Sequence, residues 1–492
     1  MTRRFALLAG LCLFAPAVAA DLPNSLLPAP AVPVPELQQY VRVTGPKIAL
    51  QHVRVIDGTG AAAKPDQTVV IENGKITAIQ PAAKAAPADA TLLDLSGHSV
   101  LPGLIGMHDH MYYIARPNYD EHGHSEAPLV VPQMTFSSPR LYLAAGVTTI
   151  RTAGSVEPSA DLNTKSAIDS GKLLGPHMDV TGPYLEGASS PFIQMHRLRD
   201  ADDARQFVEF WADRGVTSFK AYMNITRGEL KAAIDAAHKR GLKVTGHLCS
   251  VTYEEAAELG IDNLEHGFYV NTANDPDKKP DQCPPTVGRP TLQNIDPNGP
   301  YAKALIKKLV DAKVAITSTL PVFAQSVATH EPLQQRFLDT LTTEARADYL
   351  LIRKRAEATP SNVAPTLLKN DMQMERNFVA AGGLLIAGPD PTGNGGVMPG
   401  FGDQREVELL VEAGFTPVEA IKIATLNGAT YLGVADRIGS IATGKNADLI
   451  VVKGDPSKTI ADIENVEIVF KDGIGFDSAK LLASVKGRYG QY

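Results

Sequence analysis

A chain of 492 residues is about three times the usual single-domain length, so it folds as one large unit or as two to three smaller ones. Apolar residues make up 44% and charged residues 21%, ordinary globular usage that excludes a disordered chain, a fibre and a membrane bundle; 41 Gly and 35 Pro without a repeat period mean a turn-rich chain. The net charge of −7 supplies no basic face for a duplex, so nucleic acid is not expected as a partner, and it argues weakly against anionic membrane surfaces.

Residues 1–20 read as an export signal. Arg3 and Arg4 form the charged region, Phe5 to Phe14 a short apolar run, and Ala17-Val18-Ala19-Ala20 the small residues for cleavage before Asp21. The run is too short for a membrane anchor. Leu11 stands where a small residue should precede Cys12, which disfavours a lipoprotein signal. No other segment reaches ~18 consecutive apolar residues, so no stable membrane insertion is expected and the mature chain should be periplasmic or secreted.

Residues 21–46, with Pro23, Pro28, Pro30, Pro33 and Pro35, read as an extended tether. From 47 to 103, short alternating runs separated by Asp57-Gly58 and Glu72-Asn73-Gly74-Lys75 predict antiparallel strands. The same texture returns over 436–475, in Ala447 to Val452 and Val466 to Phe470. Two β segments at opposite ends of a chain predict one small composite β-sandwich domain with residues 104–435 inserted. Residues 476–492 are left as a C-terminal tail.

The middle is patterned differently. Asp200 caps a helix, and Thr226/Glu229 and Thr252/Glu255 are capping boxes, as is Thr416 with Glu419. Each helix follows a short apolar strand. Strand candidates centre near Leu104, Thr148, Met178, Phe219, Val244, Leu264, Ile316 and Leu385, which predicts an α/β fold of the (β/α)8 TIM-like barrel type. Insertions at 268–300 and 321–370 would lie over the barrel mouth.

Chemistry-bearing residues sit at the ends of these strands. His108 and His110 alternate after Met107, so both imidazoles point to one side. His247, His266 and Asp390 end later strands, and strand C-termini converge on one face of a barrel. Four imidazoles and a carboxylate suit a Zn-type divalent ion. Lys220, in Phe219-Lys220-Ala221-Tyr222, is either a surface lysine at a strand end or, once carboxylated by CO2, a carbamate able to bridge two ions. Cys249 and Cys283 favour a disulfide in an exported protein over two free thiols.

Pro102-Gly103-Leu104-Ile105 followed by His108-Asp109-His110 resembles the opening motif of the amidohydrolase superfamily. Gly146 to Arg151, Gly246-His247, Glu265-His266-Gly267, Ala387-Gly388-Pro389-Asp390 and Gly444 to Leu449 resemble its later motifs in order. The resemblance covers roughly residues 48–475 and points to the imidazolonepropionase-like amidohydrolases and dipeptidases. It implies a carboxylated Lys220 and two divalent ions, zinc first with manganese, cobalt or iron as substitutes. One ion would be held by His108, His110, Lys220 and Asp390, the other by Lys220, His247 and His266. A hydroxide shared between them would attack an amide carbonyl, with Asp390 moving the proton and Tyr222 bonding the oxyanion.

The implied substrate is a small amide, such as a dipeptide or an N-acyl amino acid, and a homo-oligomer is expected from the resemblance. Arg151 is a candidate for a substrate carboxylate or for a structural ion pair. Tyr184, His122 and His124 are further candidate substrate contacts. Thr152 after Arg151 and Pro389 before Asp390 depart from the family pattern and bear on substrate choice. Other readings are a mononuclear cyclic-amide hydrolase or deaminase, a lactone or phosphoester hydrolase, and an inactive binding protein on the same fold.

Overall fold

The computed structural model describes residues 26–112, 131–190, 192–391 and 397–490. The two chain ends build one sheet of nine strands. Its order is Val41–Val43, Ile474–Asp477, Val466–Lys471, Leu449–Lys453, His98–Pro102, Lys47–Val55, Lys64–Glu72 and Lys75–Pro81, with Thr91–Asp94 also paired to Lys47–Val55. Leu449 faces Pro102 and Lys453 faces His98 across the antiparallel seam that joins the ends. Two hairpins are closed by residues that accept positive φ in succession, Asn73 (49°) with Gly74 (78°) and Asp472 (54°) with Gly473 (79°). That is the primed-turn geometry matching strand twist. Ile48, Leu50, Val69, Val100, Leu449, Ile468 and Phe470 form its buried apolar cluster.

Both flanking segments differ from expectation. The stretch read as an extended tether is packed from Leu26 onward: Leu27 and Leu37 are buried, Pro35–Tyr40 is a 3-10 helix, and Val41–Val43 joins the sheet edge. Proline spacing sets local backbone shape, but the apolar residues between the prolines find partners and pin the segment. The stretch read as a tail holds the helix Ser478–Val485, with Leu481, Val485 and Tyr489 fully buried. The nine strands of the small unit are joined in a single hydrogen-bonded sheet.

The middle of the chain is a TIM-barrel-like α/β arrangement. One parallel sheet runs Leu104–Gly106, Val147–Arg151, His177–Asp179; another runs Thr181–Leu185, Ser218–Ala221, Lys243–Gly246, Asn263–Glu265, Ala315–Ser318, Leu385–Ala387. Backbone bonds cross both seams. Ser155 N–H donates to Gly182 (3.1 Å), and Met107 N–H donates to Ala387 (2.8 Å). Phe219, Val244, Leu264, Ile316 and Leu385 are fully buried between strands and helices.

The helix starts follow their side chains. Thr226 with Glu229, Thr252 with Glu255 and Thr416 with Glu419 close reciprocal capping boxes, and Asp200 accepts the Asp203 N–H at 2.9 Å. Cys249 and Cys283 form a disulfide that ties the insertion after Asn263–Glu265 to the end of Lys243–Gly246. Tyr269 and Phe323, from the starts of the two insertions, stack at 3.5 Å, and Phe323 lies 5.7 Å from the His266 ring. Among the described residues no helix is long and apolar enough to cross a membrane.

Candidate metal centre

The strand ends place His108, His110, Lys220, His247, His266 and Asp390 in one buried cluster. Asp390 Oδ1 lies 3.4 Å from His110 Nε2 and 3.7 Å from His108 Nε2, and Asp390 Oδ2 lies 3.9 Å from His266 Nδ1. Lys220 Nζ is 2.9 Å from His108 Nε2. The His247 ring meets His266 edge-on at 4.3 Å and Tyr222 at 5.0 Å. Close backbone approach makes this possible: a Cβ added to Gly388 would stand 2.1 Å from the His108 backbone nitrogen. His266 (φ 71°) and Asp390 (φ 52°) both hold left-handed backbone, a conformation that costs about 1–3 kcal/mol and persists where the surroundings over-determine it.

A surrounding shell orients the imidazoles. His108 Nδ1 bonds Glu265 Oε2 at 2.8 Å, and the other oxygen of Glu265 accepts from Arg151 Nη2 at 2.7 Å. His110 Nδ1 is 3.2 Å from the Gly154 carbonyl, and the His110 carbonyl accepts from the Tyr142 hydroxyl at 2.9 Å. His266 Nδ1 bonds Thr319 Oγ1 at 2.9 Å, while its Nε2 is buried without a hydrogen bond among the described residues. Tyr112, Tyr184 and Tyr222 line one wall; the hydroxyls of Tyr112 and Tyr184 bond each other, and the Tyr184 and Tyr222 rings meet at 4.9 Å.

These residues fit a divalent ion. Burial pushes the imidazoles of His110 and His247 down to about 4 and about 3, so both are neutral and carry a lone pair at neutral pH. The Nε2 to oxygen separations exceed a hydrogen bond yet approximate the ~3.3–3.5 Å edge of a tetrahedron built from 2.0–2.2 Å metal bonds. The unbonded Nε2 of His266 is the orphaned donor atom a ligand would satisfy. Burial also lowers Lys220 to about 8, against the upward pull of Glu265 and Asp390, so the neutral amine is far more populated than in an ordinary lysine.

Arg151 is not placed for a substrate carboxylate. It is 1% exposed, donates Nε to the Met107 carbonyl at 2.7 Å and pairs with Glu265, so it is a structural ion pair beneath the imidazoles. His122 and His124 lie outside the described residues. Glu186 is buried as a brace, accepting the backbone N–H of Asn224 at 2.8 Å. Sequence reasoning missed Glu265, Thr319, Tyr112 and Tyr142. Glu265 alone left a signal, as a carboxylate inside a strand with no solvent face.

The chain belongs to the amidohydrolase family, whose model matches residues 99–474. The family name denotes carbon–nitrogen hydrolases. A dihydroorotase from Syntrophus aciditrophicus is 42% identical over 15% of this chain and 16% of its own length. An imidazolonepropionase from Clostridium tetani is 30% identical over 24% of this chain and 29% of its own. The chain thus spans less than a third of the length of these relatives. In fold it is similar to a solved Xaa-Pro dipeptidase with bound methionine in the active site (TM-score 0.63, 21% identity, 88% of this chain and 100% of that one).

Proposed function

We propose that this chain is an exported, metal-dependent amidohydrolase that cleaves an amide C–N bond of a small molecule such as a dipeptide or N-acyl amino acid. The observation that carries the reading is Lys220, fully enclosed, depressed toward a neutral amine and seated 2.9 Å from a His108 nitrogen in the imidazole cluster. Among the described residues Lys220 has no ion pair, and its neutral amine would take up CO2 with release of a proton to give a carbamate able to hold ions. His108, His110, Asp390 and the Lys220 carbamate would hold one ion, and the carbamate with His247 and His266 a second. Zinc suits this nitrogen and oxygen donor set, with manganese, cobalt or iron as substitutes. When bound, such ions supply Lewis acidity toward a water nucleophile and the amide carbonyl.

The chain's own groups do the rest. Asp390 accepts the proton of the attacking water and returns it to the leaving nitrogen. Burial raises the Tyr222 hydroxyl well above its usual value, so it stays protonated and donates to the developing oxyanion. Glu265 and Thr319 hold the His108 and His266 rings in one tautomer and orientation. Tyr184, with Tyr112, closes a wall that excludes water beside the reacting carbonyl. The two parallel sheets, with bonds across both seams, are read as one closed barrel, and the nine-stranded sheet as folding over itself into a sandwich. The Cys249–Cys283 disulfide supports an oxidising, extracytoplasmic location.

A mononuclear centre is the second reading, favoured by the tight His108, His110 and Asp390 set, whose ligand atoms all lie within 4.8 Å of one another. Elemental analysis of the mature protein made with bicarbonate and zinc separates the two. Counted as the ions lost on replacing His108 and His247 together by Ala, the binuclear reading expects about two ions per chain in this cluster, with Lys220→Ala losing bound metal and activity together. One ion per chain, or full activity in that variant, would overturn it.

A further inference from the structure

Outside this cluster, a second His–carboxylate triad lies where the barrel meets the composite sheet. His177 opens the strand His177–Asp179, so it stands at the end opposite to the catalytic strand termini. Its Nε2 faces Asp472 Oδ1 at 3.4 Å and Asp448 Oδ2 at 3.7 Å. Those are the same two separations that His110 and His108 keep from Asp390. His177 is fully buried, and neither of its ring nitrogens has a hydrogen bond among the described residues; nor has Asp448 Oδ2. Leaving three such atoms unbonded in the interior is costly unless something binds them.

We propose that His177, Asp448 and Asp472 form a second, structural site for a zinc-like divalent cation that staples the composite sheet to the floor of the barrel. The three facing atoms lie within 4.8 Å of one another, and the two nitrogen-to-oxygen gaps are too long for good hydrogen bonds but close to the ~3.3–3.5 Å edge of a tetrahedral site. An imidazole with two carboxylates selects a first-row divalent ion over calcium or magnesium. The carboxylates are held in place by their own contacts. Asp448 Oδ1 accepts the Asp472 N–H at 2.7 Å, and Lys471 Nζ lies 3.3 Å from Asp472 Oδ2, the oxygen turned away from His177. Lys471 offsets part of the carboxylate charge, and one more positive centre is needed between His177 and the two aspartates. The site also gives a task to Asp448, in the Gly444 to Leu449 motif that catalysis leaves unused.

This proposal rests on no part of the catalytic reading. The test is anomalous diffraction at the zinc edge from crystals of the full mature chain grown with zinc. The expected result is a peak about 2.0–2.2 Å from His177 Nε2 and from one oxygen of each aspartate. Absence of that peak at saturating zinc overturns the proposal whether or not the His108 cluster is filled. In solution, His177→Gln should lower bound zinc by one ion per chain and abolish one zinc-dependent step in the melting temperature, with the His108 cluster still loaded. Asp472→Asn should do the same, which guards against a variant that fails to fold. Unchanged stoichiometry in both variants overturns the site.

Discussion

Glu265 serves His108, Arg151 and the Thr245 hydroxyl at once, and its burial makes each of them matter. Burial alone would raise this carboxyl, but Arg151 first and then His108 hold it well below the usual range, so it is an anion. Removing Arg151 leaves that anion underpaired, and Arg151→Ala should destabilise the fold by about 3–5 kcal/mol in urea unfolding. KM should change little; a raised KM at unchanged stability would instead make Arg151 a substrate ligand. Glu265→Gln keeps the shape but weakens the orientation of His108, so metal affinity measured by chelator competition should fall about 10–100-fold. The strained φ of His266 and Asp390 belongs to the same scale: two site residues just past strand ends are held where free peptides rarely go.

At the scale of elements, local signals were legible and tertiary partners were not. The capping boxes and the turn at Asn73-Gly74 depend on side chains within a few residues, and they form as read. The disulfide spans 34 residues and closes a loop. Replacing both cysteines by serine should cost about 3–4 kcal/mol by the loop-closure relation, measured as a lower denaturation midpoint. Helices Ala364–Ala380 and Phe401–Glu412 bring together three buried carboxylates, Asp371, Glu375 and Glu406. Burial pushes Asp371 to about 7 and Glu406 to about 8, and raises Glu375 well above its usual value. These groups keep their protons in the fold to about pH 7–8 while the unfolded chain releases them near about pH 4, so the stability they carry is present in acid and lost as pH rises through about 8. Glu406→Gln removes the share of that loss that Glu406 carries. Its melting temperature should match the parent near about pH 5 and exceed it near about pH 9.

Across the whole molecule, the chain ends are the structural ground on which the barrel stands. The helix Ser478–Val485 packs on Ser137–Ala144, and the Ser478 hydroxyl donates to the Ala144 carbonyl at 2.6 Å. Ending the chain after Asp477 uncovers that helix and strips away Leu481, Val485 and Tyr489. Such a truncation should give aggregated protein or a sharply lower melting temperature by calorimetry, where a dispensable tail would leave both unchanged. Three things were determined by the amino-acid sequence alone: the alternation of strand and helix, the period-two pair His108 and His110, and the order of histidines and aspartate at strand ends. Each is set by short-range periodicity and by residue chemistry. Only the tertiary structure decided that Glu265, 157 residues from His108, completes its hydrogen bonding, that Arg151 is spent on that carboxylate, and that His177 meets Asp448 and Asp472. It also decided that the proline-rich segment and the C-terminal segment are packed, because composition states which residues can be buried but not which surface will cover them.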